Sequence, residues 1–425
     1  METARHPFFY RDYRLYWAGR LMSTIASLCM VIVIGWQAYD IARRTMGVER
    51  AAFQLGWIGV AQFLPLLLLT LVTGWTADRV DRRWIARATA LLEIGCAATL
   101  GLMAWHHSTT LPALFAIAAL LGVARAFAGP ALGALAPNLV PAATLPTAIA
   151  LGSIAWQGGS VVGPALGGYL YALADWVPYA VSTALFSGTL LCLLGLRPLP
   201  PRARAAGVNP WAQMVEGLHY VRRNRLVLGA ISLDLFAVLL GGATAMLPVY
   251  ARDVLHVNAA GLGDLRAAPA LGSALTALLF TLRPLRRDVG VKLLGAVAVF
   301  GMATVGFGLS RSMPLSLACL ALLGAADMVS VYVRQSLIQL WTPDAMRGRV
   351  GAVSSLFISG SNELGEAESG FLAALIGPVP AVVAGGIGAI LVALLWSRWF
   401  PEIRKARDFT PPPRLDEYDL KEKAA

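Results

Sequence analysis

Long apolar runs separated by short polar segments dominate the chain. Stretches of about 20 or more largely apolar residues, each enough to cross a ~30 Å hydrocarbon layer, lie near 13–41, 53–76, 85–105, 111–135, 147–173, 178–196, 226–251, 260–282, 289–309, 314–340, 350–376 and 378–400. They predict an all-α membrane protein with twelve transmembrane helices in two groups of six. A second pattern divides the chain in the same way, because residues 120–172 align without a gap on 322–374. Leu121-Gly122 falls on Leu323-Gly324, and Gly158, Gly163 and Gly168 fall on Gly360, Gly365 and Gly370. Small residues held at one spacing predict two pseudo-symmetric bundles with similar helix contacts. Repeated membrane halves most often carry something through the cleft between them.

The predicted units are an N-terminal bundle (1–196), a cytoplasmic linker (197–225), a C-terminal bundle (226–400) and a charged, disordered cytoplasmic tail (401–425) containing Pro411, Pro412 and Pro413. In the linker, Trp211, Met214, Val215 and Leu218, with Val221 beyond, recur at helical spacing before Arg222, Arg223 and Arg225. This reads as a short helix lying on the inner membrane surface.

Composition sharpens the class. Hydrophobic residues make up 57% and charged residues 14%, with a mean hydropathy of +0.64; soluble domains carry about 25% charged residues. A net charge of +11 raises nucleic acid as a partner, but its distribution argues otherwise. With both termini inside, 26 of the 35 basic residues fall in cytoplasmic segments and five (Arg43, Arg44, Arg50, Arg252, Arg311) on the opposite side, as the positive-inside rule expects. The bilayer, rather than nucleic acid, is the expected surrounding. No cleavable signal precedes the first span, which is expected to act as its own uncleaved signal. Cys29, Cys96, Cys192 and Cys319 lie inside apolar spans and the five histidines near helix ends or in loops, so no disulfide, metal site or cofactor is expected. H-E-x-x-H and G-x-S-x-G are absent, which argues against a membrane-embedded enzyme.

The loop after the second span reads Gly74-Trp-Thr-Ala-Asp78-Arg79-Val-Asp81-Arg82-Arg83. It resembles the hallmark loop of the major facilitator superfamily, G-x-x-x-D-R-x-G-R-R, with Asp81 in place of the glycine. Gly159-x-x-x-Gly163-Pro164-x-x-Gly167-Gly168 is similar to the fifth-span signature of that superfamily's exporters and antiporters. Arg125-x-x-x-Gly129 is similar to a further motif, with Ala128 where glutamine is usual. Leu337 to Val350, including Pro343, Asp344, Gly348 and Arg349, resembles the bacterial enterobactin-exporter branch. The resemblance implies the major facilitator fold, a bacterial inner-membrane location and a monomer as a sufficient unit. It also implies that the Asp78–Arg83 cluster closes the cytoplasmic side, with Asp78 facing the start of the eleventh span near Arg349, where the helix dipole favours an anion. Plain helix packing by the glycines and lipid anchoring by the arginines are the alternatives.

Ionisable groups at mid-span cost about 2.5–3.5 kcal/mol each on insertion scales, so an accidental set is disfavoured. Arg20, Arg125, Asp234, Asp327 and Arg334 fall on spans one, four, seven and ten, which line the central cavity in the superfamily fold. Arg125 aligns with Asp327, so the two either pair across the cavity or serve separately. On the eleventh span Asn362, Glu363 and Glu366 share a face and Glu368 points elsewhere. Close carboxylates in low dielectric do not all stay ionised, and no histidine lies at mid-membrane. A proton carrier is therefore expected among Glu366, Glu363, Asp234 and Asp327, with Glu366 first; counter-ions for the arginines or a cation site are the competing roles. Glu93, on a peripheral span, reads as structural. Trp36, Trp156 and Tyr332 suit an aromatic ligand in the cavity, and the tryptophans equally suit interfacial or core positions.

The expected function is a proton-coupled exporter of a small organic molecule, a siderophore or drug-like amphiphile, working by alternating access. An uptake permease of the same fold and a non-transporting receptor or scaffold are the rivals.

Overall fold

The computed structural model describes residues 6–198, 210–285 and 287–410, and among them it contains helices and no strand. The side chains of Gly74, Asp78, Arg79 and Glu363 lie outside the described set. The first half holds α1 (Arg11–Arg43), α2 (Val48–Arg79), α3 (Arg82–Trp105), α4 (Leu111–Leu135), α5 (Leu145–Leu173) and α6 (Val177–Leu194). After α7 (Pro210–Arg223) come α8 (Arg225–Leu240), α9 (Leu247–Val249), α10 (Ala259–Leu282), α11 (Val289–Leu309), α12 (Met313–Trp341), α13 (Asp344–Ile376), α14 (Pro378–Trp399) and α15 (Pro401–Lys405). Among the described residues ten helices are long and apolar enough to cross a membrane, against twelve expected. The missing two are α5 and α13, of 29 and 33 residues. Glycines and polar residues dilute α5, and serines, glycines and three glutamates dilute α13.

Within the first group α1 lies along α5 and α6, α2 along α4, and α3 along α4 and α6. Within the second, α8 lies along α13 and α14, α10 along α12, and α11 along α12 and α14. Two seams join the groups, α2 against α13 and α5 against α10.

The repeated small residues explain this symmetry, since helix backbones approach closely only where a side chain is missing. A Cβ at Gly163 would lie 2.8 Å from the Ile25 carbonyl oxygen of α1, and one at Gly365 would lie 2.8 Å from the Val238 carbonyl oxygen of α8. Gly168 rests on Gly263 and the Ala259 carbonyl of α10, while Gly370 rests on Gly56 of α2. Each glycine pair thus makes the same kind of contact twice, Gly163 and Gly365 inside a group and Gly168 and Gly370 across a seam.

The connections define two ends. Among the described residues, 44–47, 106–110, 174–176, 255–258, 310–312 and Gly377 form an arginine-poor end, and 80–81, 136–144, 195–198, 283–285, 287–288 and 342–343 an arginine-rich one. At the latter, Asp81 caps α3 by accepting from the Arg83 backbone N–H at 3.0 Å and pairs with the Arg83 guanidinium at 2.6 Å. That hydrogen bond to Arg83 holds the Asp81 carboxyl below its ordinary range, so an aspartate here has a structural task that the superfamily's glycine does not perform.

Helix α7 lies where the linker's apolar spacing predicts a helix. Val221 is buried and Met214 packs beside Ile231 and Val350, whereas Val215 and Leu218 stay exposed. The stretch 401–410, expected within a disordered tail, is instead ordered. Ile403 of α15 is fully buried, the Gly290 N–H donates to the Ala406 carbonyl at 2.9 Å, and the Trp341 indole donates to the Phe409 carbonyl at 3.1 Å. Apolar Ile403 and Phe409 supply burial that a charge count overlooks. Residues 411–425 lie outside the description.

Candidate functional site

The span running from Arg225 to Val254 does not form one continuous α-helix. Two consecutive glycines, Gly241 and Gly242, follow α8 and interrupt it, since glycine destabilises helix interiors. A 3-10 turn (Ala243–Met246), α9 and a π turn (Tyr250–Val254) follow. Gly242 also admits α13, since a Cβ there would meet the Ser369 hydroxyl and the Gly365 carbonyl oxygen. Within the break the Thr244 carbonyl, which accepts from the Leu247 backbone N–H, also accepts from Arg266 of α10 at 3.1 Å. The same guanidinium reaches Glu366 Oε1 of α13 at 3.3 Å. Arg266 therefore fastens the interrupted span to the acid-bearing one.

Beside this break lies a cavity of about 290 Å³ at half the depth of its helices. Gln157 and Ser160 of α5 face it from the first group. From the second come Gly241, Gly242, Thr244, Pro269, Ser273, Phe300, Gly324, Asp327, Asn362 and Glu366. Asn362 and Glu366 line it together, as their i, i+4 spacing predicts. Glu368 stands off it, with one carboxylate oxygen buried and unpartnered.

The four expected proton-coupling acids occupy different circumstances. Asp234 forms an ion pair with Arg334, both buried, at 6% and 2% exposure; Arg334 is thereby committed to its neighbour. Glu366 is held by Arg266. Glu363 falls outside the described side chains. Asp327 opens on the cavity and makes no hydrogen bond or ion pair with any described residue.

Of the two alternatives for Arg125 and Asp327, pairing across the cavity or separate roles, the structure holds no ion pair between them. Arg125 Nη1 instead donates to Gln62 Oε1 of α2 at 3.4 Å, and buried Glu93 of α3 lies within its electrostatic reach. Equivalent positions in a repeat share depth, but each faces its own bundle's neighbours. Arg20 donates to the Tyr16 hydroxyl at 2.8 Å, and Tyr16 to the Leu132 carbonyl at 3.1 Å.

The aromatic residues do not gather around the cavity either. Tyr332 stacks among Phe280, at 4.8 Å between ring centres, and Phe409, at 6.1 Å. It lies off the stripe formed by Asp327, Ser330 and Arg334 at i, i+3, i+7. Trp36 packs half-buried against the main core, and Trp156 is 52% exposed.

Among the gating candidates, Gly159, Gly163 and Gly167 seat α5 on Thr24, Ile25 and Ile32 of α1, and the Pro164 carbonyl meets Gly263 of α10. Arg83 is buried and reaches the Leu196 carbonyl at 3.5 Å; Arg82 is half-buried. Arg349, expected opposite Asp78, pairs with Glu216 of α7, because α7 lies directly over the start of α13.

A cluster not anticipated from the sequence joins the halves at the arginine-poor end. The Tyr39 hydroxyl donates to Asp253 Oδ2 at 2.6 Å, and Arg43 pairs with Asp253 Oδ1 at 3.0 Å. In reciprocal fashion Arg252 pairs with Asp40 at 2.5 Å, and Arg44 shares that carboxylate at 3.0 Å. On the adjoining seam Tyr169 donates to Asp264 at 3.0 Å. The signal was present as opposite charges, Asp40 with Arg43 and Arg252 with Asp253, closing the two equivalent spans.

A repeat of membrane bundles around a polar mid-depth cavity, with an interrupted helix at its wall, defines a transporter of the major facilitator type. The chain belongs to the transmembrane secretion effector family, which it matches over residues 2–424, and is a multi-pass inner-membrane transporter rather than an enzyme. It is 29% identical over 419 residues to the enterobactin exporter EntS of Citrobacter koseri, covering 97% of this chain and 95% of that one. The corresponding protein of Escherichia coli O1:K1 is 29% identical over 415 residues, covering 96% and 95%. Among solved structures, a POT family transporter in complex with 5-aminolevulinic acid superimposes with a TM-score of 0.73 at 12% identity, over 93% of this chain and 97% of that one. A D-xylose–proton symporter gives 0.70 at 14%, over 92% and 98%. These structural likenesses speak to fold.

Proposed function

We propose that this transporter is a proton-coupled exporter of a small organic molecule, either a siderophore, as the names of its relatives suggest, or a drug-like amphiphile. The observation that carries the reading is Asp327, a cavity-facing carboxylate at mid-depth with no described partner. Holding it ionised and alone in the membrane costs about 2.5–3.5 kcal/mol. Proton uptake removes that cost, so the proton and the conformation of the surrounding helices become coupled. Asp327 stands ahead of Glu366, which already has Arg266 as counter-ion. Asp234 and Arg334 act as a fixed pair, and Glu363 remains a candidate on its helix face alone.

The bundles 1–196 and 226–400 rock about the cavity as a monomer in the bilayer, with both termini and the arginine-rich end in the cytoplasm. In that orientation the Tyr39–Asp253 and Asp40–Arg252 contacts shut the periplasmic side. The Asp78–Arg83 loop and Arg349 govern the cytoplasmic side, and the Gly159–Gly168 stripe is the surface on which α5 moves.

A thermal-shift screen on the purified chain supplies cargo candidates, whose flux is then followed in inverted vesicles under an imposed pH gradient. Gradient-driven flux in the export direction is expected, abolished by Asp327→Asn while exchange of cargo for cargo survives. Flux indifferent to the gradient, or opposite in direction, overturns the reading.

A further inference from the structure

The charge of the cargo is written in the lining of the cavity. Among the described residues no lysine or arginine lines it, and the two acids that do differ in circumstance. Glu366 is neutralised by Arg266 at 3.3 Å. Asp327 is not neutralised by anything described. The remaining polar lining, including Gln157, Ser160, Thr244 and Asn362, is uncharged, and Phe300 supplies one aromatic wall.

An anion entering this space would meet unopposed negative charge in a low-dielectric setting, where like charges at close range cost several kcal/mol. A cation would supply the counter-ion that Asp327 lacks, and Phe300 presents a ring near which an alkylammonium group is favourably held. Resting on the proton-coupled reading above, we infer that the cargo is a monovalent cation, an amine- or quaternary-ammonium-bearing amphiphile, and that its charge seats on Asp327, the same carboxylate that takes the proton. Proton and cargo then exclude one another at one group, which is the simplest way to exchange them.

The other charges facing Asp327 leave this carboxylate as the group that responds. Asp234 on α8 is paired with Arg334 on the helix that carries Asp327, and Glu366 on α13 with Arg266 on α10. Helix α11 presents Val297 and Phe300, and α5 presents Gln157 and Ser160, none of which titrates.

The test uses two probes of fixed charge, so that pH acts on the protein alone. Binding of benzyltrimethylammonium and of benzenesulfonate to the full chain in nanodiscs is measured by equilibrium dialysis between pH 5 and pH 8. The cation is expected to bind, to weaken up to tenfold per pH unit as the acid takes up its proton, and to lose at least tenfold affinity with its pH dependence in Asp327→Asn. Asp327→Glu should restore both. Tighter binding of the sulfonate, or cation binding with unaltered affinity and pH profile in Asp327→Asn, overturns the inference even where Asp327-dependent, gradient-driven flux of another cargo leaves the pump reading intact. Cation binding that depends on Asp327 without any gradient-driven flux upholds the cargo class and removes the pump reading instead.

Discussion

Removing the charge of Asp253 tests whether the polar cluster at the arginine-poor end holds the two halves shut. Its carboxylate accepts from Tyr39 at 2.6 Å and faces Arg43 at 3.0 Å, with side chains 20% and 24% exposed for the ion pair. A hydrogen bond to a charged acceptor contributes about 1.5–3 kcal/mol, and a partly exposed ion pair about 0.2–1 kcal/mol. Asparagine keeps the shape and a weaker Tyr39 bond, so Asp253→Asn should cost the closed state about 1–2 kcal/mol, a shift of roughly 5- to 30-fold in the open population. Gly35 of α1 provides the reporter, because a Cβ there lies 3.9 Å from Pro248 of α9 in the other half. With Cys29, Cys96, Cys192 and Cys319 replaced, Gly35→Cys should react with a membrane-impermeant maleimide faster by that factor in the Asp253→Asn background. Arg44→Gln, at a side chain 69% exposed, should change the rate less than about twofold. An unchanged rate in Asp253→Asn, or an exchanged Arg43→Asp/Asp253→Arg pair that labels as fast as the sum of its single changes implies, would refute the argument.

Further outcomes follow from other contacts. Gly370→Leu should also open this end, since even a Cβ there would meet the Gly56 Cα at 2.5 Å; labelling at Gly35→Cys no faster than in the parent would count against the seam. Asp234→Asn leaves Arg334 buried without its partner and should cost about 3–5 kcal/mol in thermal unfolding, whereas Asp234→Asn with Arg334→Met should recover most of it. Asp81→Ala removes a cap worth about 1 kcal/mol. Because pairing with Arg83 lowers the folded-state pKa of Asp81, the stabilisation from its charge is present above the ordinary aspartate range and is lost as pH falls through the depressed folded value. The stability gap between wild type and Asp81→Asn should therefore close on strong acidification, and a gap independent of pH would show that the ion pair contributes nothing.

The sequence displayed the architecture because membrane spans and close helix contacts are both local signals. An apolar run reports its own environment, and Gly163 and Gly365, or Gly168 and Gly370, report a missing side chain wherever two backbones meet. The acid-bearing face of α13 was legible for the same reason, since Asn362 and Glu366 need only helical periodicity to share a wall. Partnerships between charges were not legible. Arg334 reaches Asp234, and Arg125 reaches Gln62, according to how each helix is rotated against its neighbours, which alignment of the repeats leaves open. The interruption at Gly241 and Gly242 was hidden in a run long enough to pass for one span. Tyr332 was the avoidable error: the i, i+3, i+7 stripe through Asp327, Ser330 and Arg334 already excluded it.

The docking of α7 on α13 has a mechanical consequence. Glu216 is paired with Arg349, and Gly217 lets the two backbones touch, a Cβ there lying 2.8 Å from the Arg349 carbonyl oxygen. The amphipathic segment therefore travels as cargo of the later bundle instead of serving as a strut between bundles. The covalent tether shrinks to about fifteen residues between α6 and α7, which can stretch to roughly 50 Å. A connection of that length fixes no register between the two lobes, so their alignment rests on the seams and on the polar cluster that joins the halves, and two separate polypeptides divided at this tether should still assemble side by side.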